Sequence, residues 1–218
     1  MRTKTIEVQP FKPNNLKSFF KKKKEFEIKN LKEFLFDEAV QSFDGLKKTN
    51  IKLKIKKPVL FYPGSAWDAL LPVIVLKTLF EYFYEATIIF ADTTLPVNTV
   101  LGYFKQLTGT DKIYTKGNMA RIVYENCIIN CLFLEEDVVA RFPEIEKYDV
   151  YLERGFQMFR EKNPLFLEKS IELLKKGGLF ITDYGNLKRK DLKELEIPKS
   201  AIQLGLYKGF KVYEKVNR

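Results

Sequence analysis

The segment KPVLFYPGSAWD, Lys57 to Asp68, constrains the fold of this chain more than any other. A short apolar run, VLFY at 59–62, halts at Pro63 and Gly64, and a long apolar stretch with helical character begins at Leu70. A strand that ends in a tight turn and enters a helix is the opening unit of an α/β sheet. Gly64 suits such a turn for either of two reasons: it accepts a positive φ, or it lets backbone approach a ligand closely. The N–H groups at a helix start also attract polar or anionic groups. A single glycine preceded by proline departs from GxGxxG, so a ligand-binding turn and an ordinary strand–helix turn both stay open.

From Pro58 onward strand and helix patterns alternate, as in a parallel sheet covered on both faces. The spacing predicts a helix from Leu70 to Tyr84, a strand TIIFAD at 87–92, and a helix capped by Asn98 and running through Leu107. The segment ARIVYENCIINCLFLEED reads as a hairpin turning near Glu125 and Asn126, its second strand ending at Glu135, Glu136 and Asp137. YDVYLE at 148–153 is the next strand. A helix from Pro164 to Leu174 follows, with Pro164 in its first turn and Gly177 as its C-terminal cap. GLFITDY at 178–184 is a strand, and AIQLGLY, a Lys208-Gly209 turn and FKVYEKV read as a terminal hairpin. The expected fold is therefore α/β and doubly wound, a mostly parallel sheet of about seven strands with an antiparallel last strand at Phe210 to Val216.

Residues 1–57 are expected to form a basic N-terminal extension packed on a main domain at 58–218. KKKK at 21–24 and KLKIKK at 52–57 flank LKEFLFDEAVQSF, where Leu31, Phe34, Leu35, Val40 and Phe43 recur at helical spacing. A solvated face and a phosphate-binding patch are the two readings of these lysines.

Composition narrows the chemistry. The chain of 218 residues contains no histidine, which removes Ser-His-Asp and Cys-His pairs, the usual zinc-water sites and any histidine base, so no metal site is expected. Catalysis would have to run on carboxylates, Lys, Tyr or a bound cofactor. Cys127 and Cys131 lie four apart in a β-type run, roughly 13 Å between Cα atoms, beyond disulfide reach. Two reduced thiols, no apolar run of membrane-span length and an N-terminus without the core of a signal peptide lead to the expectation of a cytoplasmic location and no membrane partner. The net charge of +10 favours acidic partners in general.

In a doubly wound sheet ligands bind beyond the carboxyl ends of the strands, where strand order reverses. The acidic residues cluster at such ends: Asp68 after the first turn, Asp92 after the second strand, then Asp137, Glu153 and Asp183. A carboxylate in the position of Asp92 can bond ribose hydroxyls, although Asp also serves turns at strand ends.

Between Pro58 and Val216 the chain resembles the class I S-adenosylmethionine-dependent methyltransferases. The likeness rests on the VLFYPGSAWD turn, the acid of IIFADTT, YDVYLERG followed by a helix, and LLKKGGLFITDYG leading into a C-terminal hairpin. It implies S-adenosylmethionine as cofactor, with Tyr62, Gly64 and Asp68 near its methionine part, Asp92 on the ribose and Asp137 near the adenine. Glu153 or Asp183 is then the proton acceptor, and Phe156 and Tyr184 line an acceptor pocket or belong to the core. YLERGF is not the Asp/Asn-Pro-Pro-aromatic motif of amino-methylating nucleic-acid enzymes. The alternative is a catalytically inactive domain of the same fold, a binding or scaffold protein whose basic N-terminal segment contacts nucleic acid or another acidic partner. A nicotinamide-dependent oxidoreductase fits less well without GxGxxG.

Overall fold

The computed structural model describes residues 4–5, 46, 48–65, 68–124, 126–182, 187–199 and 211–216. The expected helix over Leu31 to Phe43, the lysines at 21–24, Trp67, Asp183, Tyr184 and the Lys208-Gly209 turn lie outside these residues. In chain order the elements are β1 (Lys4–Thr5), β2 (Val59–Pro63), α1 (Leu70–Leu79), β3 (Glu85–Asp92), α2 (Val97–Thr108), β4 (Ile113–Lys116), β5 (Met119–Tyr124) and β6 (Cys127–Glu135). They continue with β7 (Tyr148–Glu153), α3 (Gln157–Lys162), α4 (Pro164–Leu173), β8 (Leu174–Thr182), β9 (Leu192–Leu195) and β10 (Lys211–Lys215).

The ten strands among the described residues join one sheet in the order β1-β4-β5-β6-β3-β2-β7-β8-β10-β9. The five strands from β6 to β8 are parallel, and β10 runs antiparallel to both β8 and β9. The parallel strands β6, β3, β2, β7 and β8, with β10 antiparallel beside β8, match the expected mostly parallel sheet and its antiparallel last strand, while AIQLGLY lies outside the described residues. β5, the first strand of the expected hairpin, and the unexpected β1 and β4 extend the sheet antiparallel beyond β6, and β9, also unexpected, lies beyond β10. The chain steps outward from β2 through β3 to β6 and then returns to β7 on the other side of β2, so strand order reverses between β2 and β7.

Alternation along the central strands builds two cores. Leu60, Tyr62, Ile88, Phe90, Val150 and Leu152 meet α1 and α2 on one face. Phe61, Ile89, Tyr151 and Phe180 meet Phe166 and Ile171 of α4 on the other. Rings dominate both: Phe90 stacks on Phe133 at 5.4 Å, and Tyr151 on Phe180 at 4.1 Å.

Three boundaries differ from the sequence expectation, each for a tertiary reason. The first helix stops at Leu79, not Tyr84, because residues 51–55 run beside its end: Leu53 N–H donates to the Leu79 carbonyl at 2.6 Å, and Glu81 N–H to the Leu53 carbonyl at 3.3 Å. The second helix begins at Val97 behind Pro96, whose carbonyl accepts from Thr99 and Val100, so Asn98 is an interior residue rather than the cap. The last helix ends at Leu173, and Gly177 (φ 72°) falls inside β8, in the bulge that separates the Tyr148–Leu174 and Val150–Leu179 pairs. There Lys215 Nζ, reaching across from β10, donates to the carbonyls of Ile171 at 2.6 Å and Leu174 at 2.5 Å. An ammonium satisfies helix-end carbonyls that have no intrahelical donor, so no glycine cap is needed. At the other end Pro164 occupies the first turn as expected, and the Asn163 side chain accepts from Phe166 N–H.

Both cysteines are free thiols of β6. Cys131 is fully buried and burial pushes its thiol far up, while Cys127 is partly exposed and donates to the Tyr124 carbonyl. Thiolate is the reactive form. Titration of the folded protein with a colorimetric disulfide reagent should therefore count Cys127 alone, and Cys131 should appear only on unfolding; two equally fast thiols in the native protein would contradict this burial.

Candidate ligand site

The carboxyl ends of the parallel strands place Glu135, Asp92, Pro63, Glu153 and Thr182 in a row, in the order β6, β3, β2, β7, β8. Asp92 and Glu135 are register partners, and Pro63 pairs with Ala91. The sheet thus gathers three of the residues expected at a cofactor site, Gly64, Asp92 and Asp137, along one edge beside the strand-order reversal.

The β2 turn is strapped to β3. Gly64 N–H donates to the Ala91 carbonyl at 2.8 Å with φ at 63°, the left-handed conformation that glycine adopts without strain. Its bare face is not open. A Cβ built at Gly64 would stand 2.2 Å from Cδ2 of Phe156, which follows β7. Next to it the Ser65 hydroxyl is buried and has no hydrogen-bond partner among the described residues.

Asp68 serves the turn in several ways at once. Its Oδ1 accepts from Leu71 N–H at 3.1 Å, capping the start of α1, and its Oδ2 accepts from the Tyr62 hydroxyl at 2.9 Å. Arg154 Nη1 stands 3.9 Å from Oδ2. The buried Tyr103 hydroxyl belongs to the same neighbourhood: burial holds it well above its ordinary pKa, and the Asp68 charge adds to that. Tyr62 is itself buried and acts here by fixing Asp68.

Asp92 closes β3 half-buried. Its Oδ1 accepts from Thr94 N–H and from the Thr93 hydroxyl, both at 3.3 Å, and its carbonyl accepts from Glu136 N–H. Asp137 is exposed and its Oδ1 accepts from Val139 and Ala140 N–H, each at 3.0 Å. Both acids thus fulfil the turn role that Asp favours.

Glu153 sits deeper than sequence reasoning placed it. It is 1% exposed, and Arg160, 2% exposed, donates from Nε to its two oxygens at 2.9 and 3.0 Å. The Tyr151 hydroxyl donates to Oε2 at 2.8 Å, Thr182 adds a side-chain bond, and the Arg160 guanidinium stands over the Phe180 ring. Burial pushes the Glu153 carboxyl up, against the opposing charge and hydrogen bonds of Arg160, Thr182 and Tyr151. Nothing in the sequence announced Arg160 or the contact of Phe156 with Gly64. The first spans a turn with no periodic spacing, and the second joins segments 92 residues apart in sequence, counted as 156 minus 64.

A cavity of about 390 Å³ opens on the far side of Asp92, between Leu95 and Val97 at the start of α2, Phe133 to Glu136 at the end of β6, and Gly117 and Asn118 in the β4–β5 turn. Among the described residues no helix is long and apolar enough to cross a membrane.

No family model matches the chain, and no curated protein does. Solved structures do match. Phosphoethanolamine N-methyltransferase 1 of Haemonchus contortus, solved with phosphoethanolamine and S-adenosylhomocysteine, is 11% identical over 94% of this chain and 49% of that one, with a TM-score of 0.50. A candidate S-adenosyl-L-methionine-dependent methyltransferase of Methanococcus maripaludis is 14% identical over 100% of this chain and 98% of its own, at a TM-score of 0.48. A candidate class I methyltransferase of Listeria monocytogenes is 12% identical over 97% and 71%, at 0.46. At such identities the likeness is one of fold alone: the chain has a Rossmann-like α/β fold that it shares with the Haemonchus contortus enzyme.

Proposed function

We propose that this protein binds S-adenosylmethionine at the strand-order reversal and transfers its methyl group. The observation that carries the reading is the carboxylate of Asp92, held at the end of β3 one strand from the Gly64 turn, in a fold shared with a structure that holds S-adenosylhomocysteine. The residues present fit such a group. Asp92 would accept from ribose hydroxyls, Asp137 would stand toward the base, and the Ser65 hydroxyl beside Gly64, without a partner among the described residues, would supply polar capacity to the turn. The cofactor, when bound, supplies an activated methyl group and its own leaving group, which leaves the protein the tasks of orientation and exclusion of water.

Within this reading Asp68 works indirectly, fixing the turn through Tyr62 and Leu71. Glu153, paired and buried, anchors Arg160, so the proton acceptor named from the sequence falls to Asp183, outside the described residues.

A binding or scaffold role is favoured by one observation, the Phe156 ring that occupies the bare face of Gly64. The basic segment at 52–57 is partly committed within the fold: Lys52 donates to the Thr78 carbonyl, and Lys57 pairs with Glu85 at 2.8 Å. Calorimetric titration with S-adenosylmethionine, S-adenosylhomocysteine and NAD separates the readings. The expected result is saturable heat with the first two alone; heat with NAD alone, or with none, overturns the proposal.

A further inference from the structure

The geometry points to Phe156 as a gate on the β2 turn, held in place by the buried Glu153–Arg160 pair. It rests on the cofactor reading above and adds to it a residue that controls admission. A glycine lets a ligand approach the backbone because no Cβ stands there. At Gly64 that volume is taken by an aromatic edge, since the built Cβ would lie 2.2 Å from Phe156 Cδ2 and 3.0 Å from Cε2. A ligand group seated on the bare face of Gly64 and the Phe156 ring therefore compete for one space.

The ring is held from several sides. It packs on Phe166 of α4 at 5.6 Å and on Phe159 at 5.5 Å, and it is 8% exposed. Its carbonyl accepts from the N–H groups of Phe159 and Arg160, which ties it to the first turn of α3. Arg160 is in turn fixed by Glu153, the last residue of β7 and only three positions before Phe156. Gly155, with φ at 68°, lies between them and gives the segment a point about which to turn. The half-exposed Phe159 beside Phe156 leaves an apolar surface against which a displaced ring can lie.

If the gate is closed most of the time, apparent affinity falls by the open fraction, and its removal restores that loss. Phe156→Ala should then bind S-adenosylhomocysteine about tenfold more tightly than wild type, for a gate open about a tenth of the time. Calorimetry gives the affinities. Hydrogen exchange of the peptide spanning residues 60–72 reports cover of the turn without any ligand, and should quicken in the variant. Phe156→Leu, which keeps most of the apolar volume, replaces Phe156→Ala where the latter does not fold, and is expected to shift both readouts in the same sense by less. Equal or weaker binding in the variants overturns the gate and leaves the cofactor reading standing. No binding in any variant, together with quickened exchange, overturns the cofactor reading while Phe156 remains the cover of the turn. No binding and unchanged exchange overturns both.

Discussion

Arg160→Met is expected to destabilise the protein by about 3–5 kcal/mol, the cost of leaving a buried charge without its partner. Glu153 and Arg160 are almost fully enclosed, and the carboxylate takes two of its bonds from the guanidinium. With methionine in place of Arg160, the Tyr151 and Thr182 hydroxyls remain as donors but no positive charge does. Urea unfolding followed by circular dichroism measures the loss. A shift below about 1 kcal/mol, the range of a solvent-exposed ion pair, would show that the pair is not buried in solution. The double variant Glu153→Leu/Arg160→Met should recover most of the stability, because well-packed apolar residues often replace a buried pair at little cost.

The same variant has a defined pH dependence. Burial already pushes the Glu153 carboxyl up, and Arg160 is the foremost opposing influence, so its removal raises the folded-state pKa further. For a carboxyl whose folded pKa exceeds its unfolded value, the stabilising contribution is complete below the unfolded pKa and is lost as pH rises through the folded one. Arg160→Met should accordingly close part of its gap to wild type as the solution is acidified from neutrality. A gap that stays constant or widens on acidification would mean that losing Arg160 does not raise the folded-state pKa of Glu153, as for a carboxyl that is not buried in the variant.

Asp92→Ala is expected to weaken S-adenosylhomocysteine binding about tenfold or more, since hydrogen bonds to a charged group are worth roughly 1.5–3 kcal/mol. The fold should survive. The bonds that Asp92 makes to Thr93 and Thr94 are long and lie near the surface. Asp92→Asn separates the two roles, because an amide oxygen can still accept from Thr94 N–H while the charge is gone. Affinity lost in both variants with unchanged unfolding midpoints assigns Asp92 to the ligand. Affinity equal to wild type in both removes it from the site.

Residues 51–57 run beside α1, and Lys57 meets Glu85. The isolated bridge between Leu53 and Phe80 ties this segment to the end of α1. It also explains why the apolar, aromatic sequence EYFYE after Leu79 leaves the helix it could have prolonged.

The local code was enough to write the parallel core of this protein. VLFYP, EATIIFAD and YDVYLE are apolar, β-branched and aromatic runs of strand length, bounded by turn residues. Each became a buried parallel strand, because such runs bury both faces only between layers of helices. The acids at their ends were equally legible, since turn chemistry fixes Asp92 and Asp137 where the strands stop. Tertiary structure decided what those runs could not encode. The short outer strands β1, β4 and β9 add to the sheet through backbone hydrogen bonds, which are blind to side-chain pattern. Lys215 replaced the expected glycine cap by reaching from another strand, and Leu53 ended a helix from outside it. Glu153 looked like an available acid because a sequence records its charge and not its enclosure. Only the closure of α3 and α4 over β7 and β8 brings Arg160 to it and the Phe156 ring to Gly64, since burial and contact between distant segments are properties of packing and carry no periodic trace along the chain.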